Sequence, residues 1–197
     1  MNPSLNTVIQ LQITKMAIQS ERTTSPKLIM GNPAPSLEVK TLDGGVWNLA
    51  EQPTNKYTMI VFYRGLHCPI CQEYILQVEH KLDAFKELGV EVIAISGDQL
   101  EQAQQFKATT NIEHLMIGYG LTLDDMHRWG LYISKGHFES EPAIFSEPAT
   151  FIIKPDGRLY YANIGTHPFA RPDLDLLLRG LDYIIHKNYP FRGTEWD

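Results

Sequence analysis

Tyr57-Thr58-Met59-Ile60-Val61-Phe62-Tyr63-Arg64-Gly65-Leu66-His67-Cys68-Pro69-Ile70-Cys71 sets the frame for the whole chain. Its first part, Tyr57 to Tyr63, is almost continuously apolar, which suits a strand covered on both faces of a sheet. From Pro69 the pattern changes. Ile75, Val78, Leu82 and Phe85 recur at spacings of three and four, predicting a helix from Pro69 to Leu88 that Gly89 stops. Both cysteines of the chain therefore fall where a buried strand gives way to a helix.

Outward from this centre, the elements alternate. Val90 to Ile95 reads as a second buried strand, and Ser96-Gly97-Asp98 as a turn in which Asp98 caps a helix running through Phe106. Leu115-Met116-Ile117 is a short third strand and Thr122 to Trp129 a short helix, followed from Gly130 by a loop. Thr150 to Ile153 and Arg158 to Ala162 flank Lys154-Pro155-Asp156-Gly157, a hairpin signal. Pro172 opens a last helix with Leu174, Leu177, Leu178, Leu181 and Ile185 on its apolar side. Upstream, Leu37, Val39 and Thr41 alternate into Asp43-Gly44-Gly45, and Val46-Trp47-Asn48-Leu49 completes an early hairpin. The middle alternation implies a parallel core with right-handed crossovers, to which the late hairpin adds antiparallel strands. The expected class is α/β with a mixed central sheet.

Residues 28–187 carry these elements as one domain. Residues 1–27 form a polar arm in which Ile9, Leu11 and Ile13 fit a short strand, while Ile9, Ile13 and Met16 fit a helix face equally well. Residues 188–197 form an aromatic tail, with Tyr189, Pro190, Phe191 and Trp196 read as a flap over the sheet in preference to an interaction surface.

The chain has 197 residues, 43% of them hydrophobic and 20% charged, which describes a globular protein. Seventeen Lys and Arg against 23 Asp and Glu give a net charge of −6, the wrong sign for a nucleic-acid or anionic-membrane partner. No apolar run approaches the ~20 residues that span a bilayer. The first thirty residues lack the charged start, apolar core and cleavage site of a secretory signal, so the expected location is cytoplasmic.

Two cysteines, Cys68 and Cys71, make no disulfide framework of the kind that spreads along small secreted chains. Cys68 stands at the N-cap or first residue of its helix, and Pro69 suits the first turn. Unpaired N–H groups and about half a positive charge gather there. Such a setting lowers a thiol pKa from ~8.5 into the range ~3.5–7.5. Cys71 lies about 60° round the same helix face, close enough to close onto Cys68. Cys68 is thus the candidate nucleophile and Cys71 the resolving thiol. A protonated His67 would favour the Cys68 thiolate, unless its ring points away as neighbours on an extended segment do. Zinc wants four ligands, and nothing in the sequence brings His114, His127 or His167 to the pair. No metal or cofactor is expected; two inert buried thiols are the blander alternative.

Glu147-Pro148-Ala149-Thr150-Phe151 is the second candidate feature. A proline directly before a buried strand is unusual. A cis bond at Pro148 would bend the chain and expose backbone groups beside the thiols, whereas an ordinary trans loop proline would do neither. Arg64 is either a cation serving the thiols or a surface residue.

The motifs together resemble those of the thioredoxin-fold redoxins, specifically the peroxiredoxin-like branch of the alkyl hydroperoxide reductase/thiol-specific antioxidant family. Gly31-Asn32-Pro33-Ala34-Pro35-Ser36-Leu37 is similar to the opening of these domains, and Phe62 through Cys71 to their active-site strand and loop. Val90 to Gly97 and Pro148 to Gly157 match later strands. The resemblance implies a thioredoxin-like fold with helices on both faces of the sheet and an added N-terminal hairpin. It also implies an oxidoreductase, with a homodimer as the family-level oligomeric expectation.

Where peroxiredoxins carry a proline and a hydroxyl residue before the peroxidatic cysteine, this chain has Val61 and Gly65. Pro148 stands where their active-site arginine is expected, and Phe62 where thioredoxins place a buried acid. These departures favour thiol–disulfide exchange over peroxide reduction. The leading expectation is a thiol–disulfide oxidoreductase working through Cys68 and Cys71, with Arg64, Gly65, His67, Pro69 and Pro148 as supporting or substrate-binding residues. Its partner is a protein or small-molecule disulfide or thiol. A thiol peroxidase acting on hydroperoxides is the alternative enzyme, and a redox-sensing binding module the non-enzymatic one. Gly165-Thr166-His167-Pro168-Phe169-Ala170-Arg171-Pro172 resembles a segment of the same branch, but gives no role to His167 or Arg171.

Overall fold

The computed structural model describes residues 28–195, so the expectations for residues 1–27 and for Trp196 lie outside the described residues. Strands β1 (Glu38–Thr41) and β2 (Val46–Asn48) form the early hairpin, and β3 (Tyr57–Phe62) follows. Helices α1 (Pro69–Glu79) and α2 (Leu82–Glu87) lead to β4 (Val90–Ile95), α3 (Leu100–Thr110), β5 (Met116–Tyr119) and α4 (Leu123–Arg128). A small hairpin, β6 (Ile133–Lys135) and β7 (Ile144–Ser146), precedes β8 (Ala149–Ile153), β9 (Leu159–Ile164) and α5 (Leu174–Lys187).

The main sheet has seven strands in the order β2-β1-β5-β4-β3-β8-β9. β3 and β4 run parallel, as do β4 and β5, while β8 and β9 add antiparallel pairs. This is the expected mixed sheet, with the early hairpin joined through β1 to β5.

Strand geometry divides β3 between two cores, because successive side chains point to opposite faces. Met59, Val61 and Tyr63 pack with Cys68, Cys71, Ile75, Val78, Phe106 and Leu181 on one face. Ile60 and Phe62 pack with Trp129 and Phe151 on the other. In α1 the inward residues are Cys71, Ile75 and Val78, so the second thiol belongs to the buried stripe of its helix.

Four sequence expectations are corrected. The helix expected from Pro69 to Leu88 breaks at Lys81, whose φ of −111° and ψ of 7° are not helical. The last turn tightens, with Lys81 N–H donating to the Val78 carbonyl. Glu79 turns its carboxylate to the N–H groups of Glu113, His114 and Leu115 at 3.1, 2.9 and 2.7 Å, and α2 restarts to bury Phe85.

Asp98 does not cap the next helix. Gln99 is the N-cap, its N–H donating to Gln102 Oε1 at 3.0 Å, and the helix continues past Phe106 to Thr110. The region after Gly130, read as a loop, contains the β6–β7 hairpin.

The bond before Pro148 is trans, not the cis turn weighed above. The chain runs on into β8, and the Pro148 carbonyl accepts the N–H of Gly165 at 2.9 Å across the start of the β8–β9 pair. The tail behaves as a flap: Tyr160 donates its hydroxyl to the Tyr189 carbonyl at 3.0 Å, and Arg158 lies 4.6 Å from the Phe191 ring centre.

Candidate active site

The chain leaves β3 through a loop that only glycine fits. Gly65 has φ of +126°, and a Cβ there would stand 2.3 Å from Asp98 Oδ1. Asp98 Oδ2 accepts the Leu66 N–H at 2.9 Å, and the Gly65 carbonyl accepts the Cys68 N–H at 3.2 Å. Gln72 closes the turn from α1, donating to the Leu66 carbonyl at 2.8 Å. The loop ahead of the thiols is therefore held from both β4 and α1.

Cys68 caps α1 as the sequence predicts, in extended conformation with Pro69 in the first turn. Its Sγ accepts the Cys71 N–H at 3.2 Å, so a backbone donor that the helix leaves unpaired points at the candidate nucleophile. Cys68 and Cys71 form a disulfide with Cα atoms 5.2 Å apart. Cys68 keeps 4% of its surface and Cys71 none. Among the described residues no cluster of three or more His, Cys, Asp or Glu side chains is placed to hold a metal ion.

His67 is not an imidazolium activating Cys68. Both ring nitrogens are buried without a partner among the described residues, and the ring lies 4.6 Å from that of Phe145. Burial lowers its pKa, and Arg64 works in the same direction, against Glu141 and Glu147. The ring is neutral near pH 7.

Arg64 is not a free surface cation either. Its Nε and Nη2 each donate to Glu147 at 2.8 Å, and Glu147 Oε1 also accepts the Ser134 hydroxyl at 2.6 Å.

Two functional candidates escaped the sequence reading. The first is Arg171, from the segment between β9 and α5, whose Nη2 donates to Cys71 Sγ at 3.1 Å. Its Nε donates to the Pro168 carbonyl at 2.8 Å, its guanidinium lies 4.7 Å from the centre of the Tyr74 ring, and Nη1 is buried without a partner. Burial brings the Arg171 pKa down to about 10, which still leaves the group charged near neutrality. Its neighbour His167 is held apart from this contact, pairing with Thr166 Oγ1 at 3.0 Å and stacking on Phe169. Pro148 meets this segment through backbone, its carbonyl accepting the N–H of Gly165, which precedes Arg171 on the same loop.

The second is Asp98. It is buried, its Oδ1 has no partner among the described residues, and the Tyr63 hydroxyl is buried and unpaired as well. Burial pushes the Asp98 carboxyl above the usual range, against the lowering effect of the Leu66 N–H. The phenol of Tyr63 is pushed up for the same reason. A shallow groove of about 350 Å³ opens on the Arg171 side, lined in part by Ile70, Tyr74, Pro168, Phe169 and Arg171.

A family model described as AhpC/TSA matches residues 30–162, more than half of the chain. The chain belongs to the AhpC/TSA family. It is an oxidoreductase of that family. A curated relative, peroxiredoxin Bcp of Bacillus subtilis (strain 168), is 28% identical over 134 residues, covering 66% of this chain and 81% of the relative.

Solved structures show the shared fold. A peroxiredoxin-like protein from Aquifex aeolicus superposes with a TM-score of 0.66 at 21% identity, covering 81% of this chain and 89% of its own. A reduced 2-Cys peroxiredoxin from Plasmodium vivax gives 0.69 at 23% identity, with coverages of 83% and 84%. The thioredoxin-like fold expected from the active-site motif is the fold observed. No helix among the described residues is long and apolar enough to cross a membrane.

Proposed function

We propose that the protein is a thiol peroxidase that reduces hydroperoxides, with Cys68 as the peroxidatic and Cys71 as the resolving cysteine. The observation that carries this reading is the burial of the dithiol, with 4% of Cys68 and none of Cys71 exposed. A hydroperoxide needs only a narrow approach to one sulfur. A protein disulfide must bring its own sulfur into line with the attacking thiolate, which a recessed pair opposes. The trans Pro148 also removes the exposed backbone platform on which the disulfide-reductase expectation leaned. Family membership points the same way.

In the first step the Cys68 thiolate attacks the terminal peroxide oxygen. The O–O bond breaks, sulfur is oxidised by two electrons to sulfenic acid, and the alkoxide takes up a proton to leave as alcohol. Cys71 then attacks the Cys68 sulfur, and the hydroxyl departs as water once protonated. An external thiol reductant returns the disulfide to the dithiol. That last requirement favours a reducing compartment, in keeping with the cytoplasmic location expected above.

Thiol–disulfide exchange remains the second reading, because Gly65 supplies no hydroxyl near Cys68 and Arg64 is tied to Glu147. Mass spectrometry separates the two. Reduced protein given one equivalent of hydroperoxide is expected to lose two hydrogens rapidly, while Cys68→Ser loses none. A Cys71→Ser protein should instead accumulate a trappable sulfenic acid on Cys68. If both thiols persist while the same sample rapidly reduces a protein disulfide, the peroxidase reading fails.

A further inference from the structure

We propose that Arg171 is the counterion of a Cys71 thiolate in the reduced enzyme, so that the resolving cysteine is activated by a half-buried cation of its own. The inference rests on the assignment of Cys71 as resolving thiol, and it starts from a charge that lacks a partner. Among the described residues, no carboxylate forms an ion pair or hydrogen bond with Arg171. Its donors go to Cys71 Sγ and the Pro168 carbonyl, while Nη1 is buried without a partner.

The surroundings explain why no other anion serves. Glu147 is taken by Arg64 through two hydrogen bonds of 2.8 Å. Asp173, two residues along, turns its Oδ1 to the Leu176 N–H at 2.7 Å as the cap of α5. The phenol of Tyr74 beneath the guanidinium donates to the Pro172 carbonyl at 3.0 Å, and burial pushes its pKa up, so it stays neutral. Arg64 acts on Arg171 as a like charge and Glu147 as an opposite one, so the neighbouring pair works in both directions.

Withdrawing even part of a cation from water without an anion is costly, and proteins ordinarily pair such groups. In the disulfide state Cys71 is neutral and offers the guanidinium only a weak sulfur acceptor. Two-electron reduction that leaves Cys71 unprotonated puts a full negative charge on the atom 3.1 Å from Nη2 in the oxidised form. The missing partner is therefore created by the redox reaction itself.

This also divides the labour between the cysteines. Cys68 has the Cys71 N–H and the start of α1, as a helix-capping thiolate does. Cys71 lies inside the first turn, wholly buried, where burial alone would raise its pKa and leave it inert. Arg171 reverses that penalty. In the resolving step Cys71–S⁻ attacks the sulfur of Cys68–SOH, the S–S bond forms, the S–O bond breaks and hydroxide leaves to become water. The two-electron oxidation has already occurred at Cys68, so the step is a condensation whose rate follows the Cys71 thiolate fraction.

Titration of the single thiol in reduced Cys68→Ser, followed by thiolate ultraviolet absorbance against Cys68→Ser/Cys71→Ser, tests the proposal without touching Arg171. Cys71 is expected to ionise at least about one pH unit below the ordinary ~8.5. Adding Arg171→Gln should return it to that value or above, and Arg171→Lys should keep part of the effect. A Cys71 midpoint at or above the ordinary value in Cys68→Ser, or one unchanged by Arg171→Gln, overturns the proposal.

In the otherwise native chain, Arg171→Gln should slow disulfide formation after hydroperoxide roughly tenfold, with Cys68 sulfenic acid accumulating to a sulfenate trap. Its thiol–disulfide equilibrium should shift about tenfold towards disulfide, which is about 30 mV. If native Cys68 never forms sulfenic acid, the peroxidase reading falls, while the Cys71 titration still decides the role of Arg171.

Discussion

Arg64, on the loop leaving β3, lies in a two-point ion pair with Glu147, whereas Arg171, between β9 and α5, has no carboxylate partner among the described residues and rests on a sulfur and a phenol ring. The two guanidinium groups are close enough to act on each other. One charge is settled by the fold at all times. The other is settled only when the dithiol is reduced. The difference separates a structural ion pair, which holds the β6–β7 hairpin and the start of β8 against the active-site loop, from a charge kept for chemistry.

The largest expected effect breaks the settled side. Side-chain exposures of 19% for Arg64 and 4% for Glu147 make this a mostly buried pair. Glu147→Gln leaves Arg64 without its anion, and urea denaturation should show a loss of about 3 kcal/mol. Replacing both partners, as Arg64→Met/Glu147→Leu, should recover most of that loss, since a buried pair often adds little over apolar packing. In the oxidised protein Arg171→Met should change stability by no more than about 1 kcal/mol, because the lost hydrogen bond and ring contact offset relief of an unpaired charge. If Arg171→Met costs as much as Glu147→Gln, the contrast between the two arginines is wrong.

A second pair of groups sharpens the contrast through pH. The His67 pKa is lowered in the folded state, so the unfolded chain takes up this proton first as pH falls. The stability tied to a neutral His67 is complete above the unfolded value of ~6.5 and is lost as pH falls from there towards the folded one. Asp98 has the opposite sign. Its raised folded pKa makes stability greatest at low pH and reduces it as pH rises from the unfolded value of ~3.9 through the folded one. His67→Phe should therefore flatten the stability profile below about pH 6.5. Asp98→Asn, which keeps an oxygen for the Leu66 N–H, should look more favourable at pH 8 than at pH 4. Urea midpoints across this range test both, and parallel profiles for variant and native protein would show that neither group is perturbed.

These groups also show how far the sequence could be read. β3 was legible because continuous apolar residues from Met59 to Tyr63 have no explanation other than burial on both faces. The Cys68 cap was legible because Pro69 tolerates only the first turn of a helix. Asp98 was misread because Ser-Gly-Asp before an apolar run is a fair cap signal. Its inward turn depends on β3 and β4 pairing with Phe62 beside Ile95. Gly65, an unexplained glycine before the thiols, was the available hint. Arg171 stood out only within a segment that resembles the branch, with no role: it lies 100 residues from Cys71, and no spacing rule joins a loop after the last strand to the first turn of α1. The β6–β7 strands, three residues each, are too short for alternation to register.

The smallest expected effect concerns what approaches the settled and unsettled sides. The groove beside the dithiol is lined by Arg171, Pro168, Ile70 and Phe169, while Arg64 is covered by the Phe145 ring at 5.3 Å from its guanidinium. Phe169 is 71% exposed, so Phe169→Ala removes little that holds the fold together. An apolar substituent on a hydroperoxide lying along this groove would cover part of that ring, worth about 1 kcal/mol or roughly fivefold in affinity. Phe169→Ala is accordingly expected to raise KM about fivefold for a bulky apolar hydroperoxide and to leave hydrogen peroxide unaffected, with kcat unchanged for both. Steady-state kinetics with the two substrates measures this directly. Equal changes for both would mean that substrates do not enter over Phe169, and a change in kcat alone would place the ring in the positioning of Arg171 and not in substrate contact.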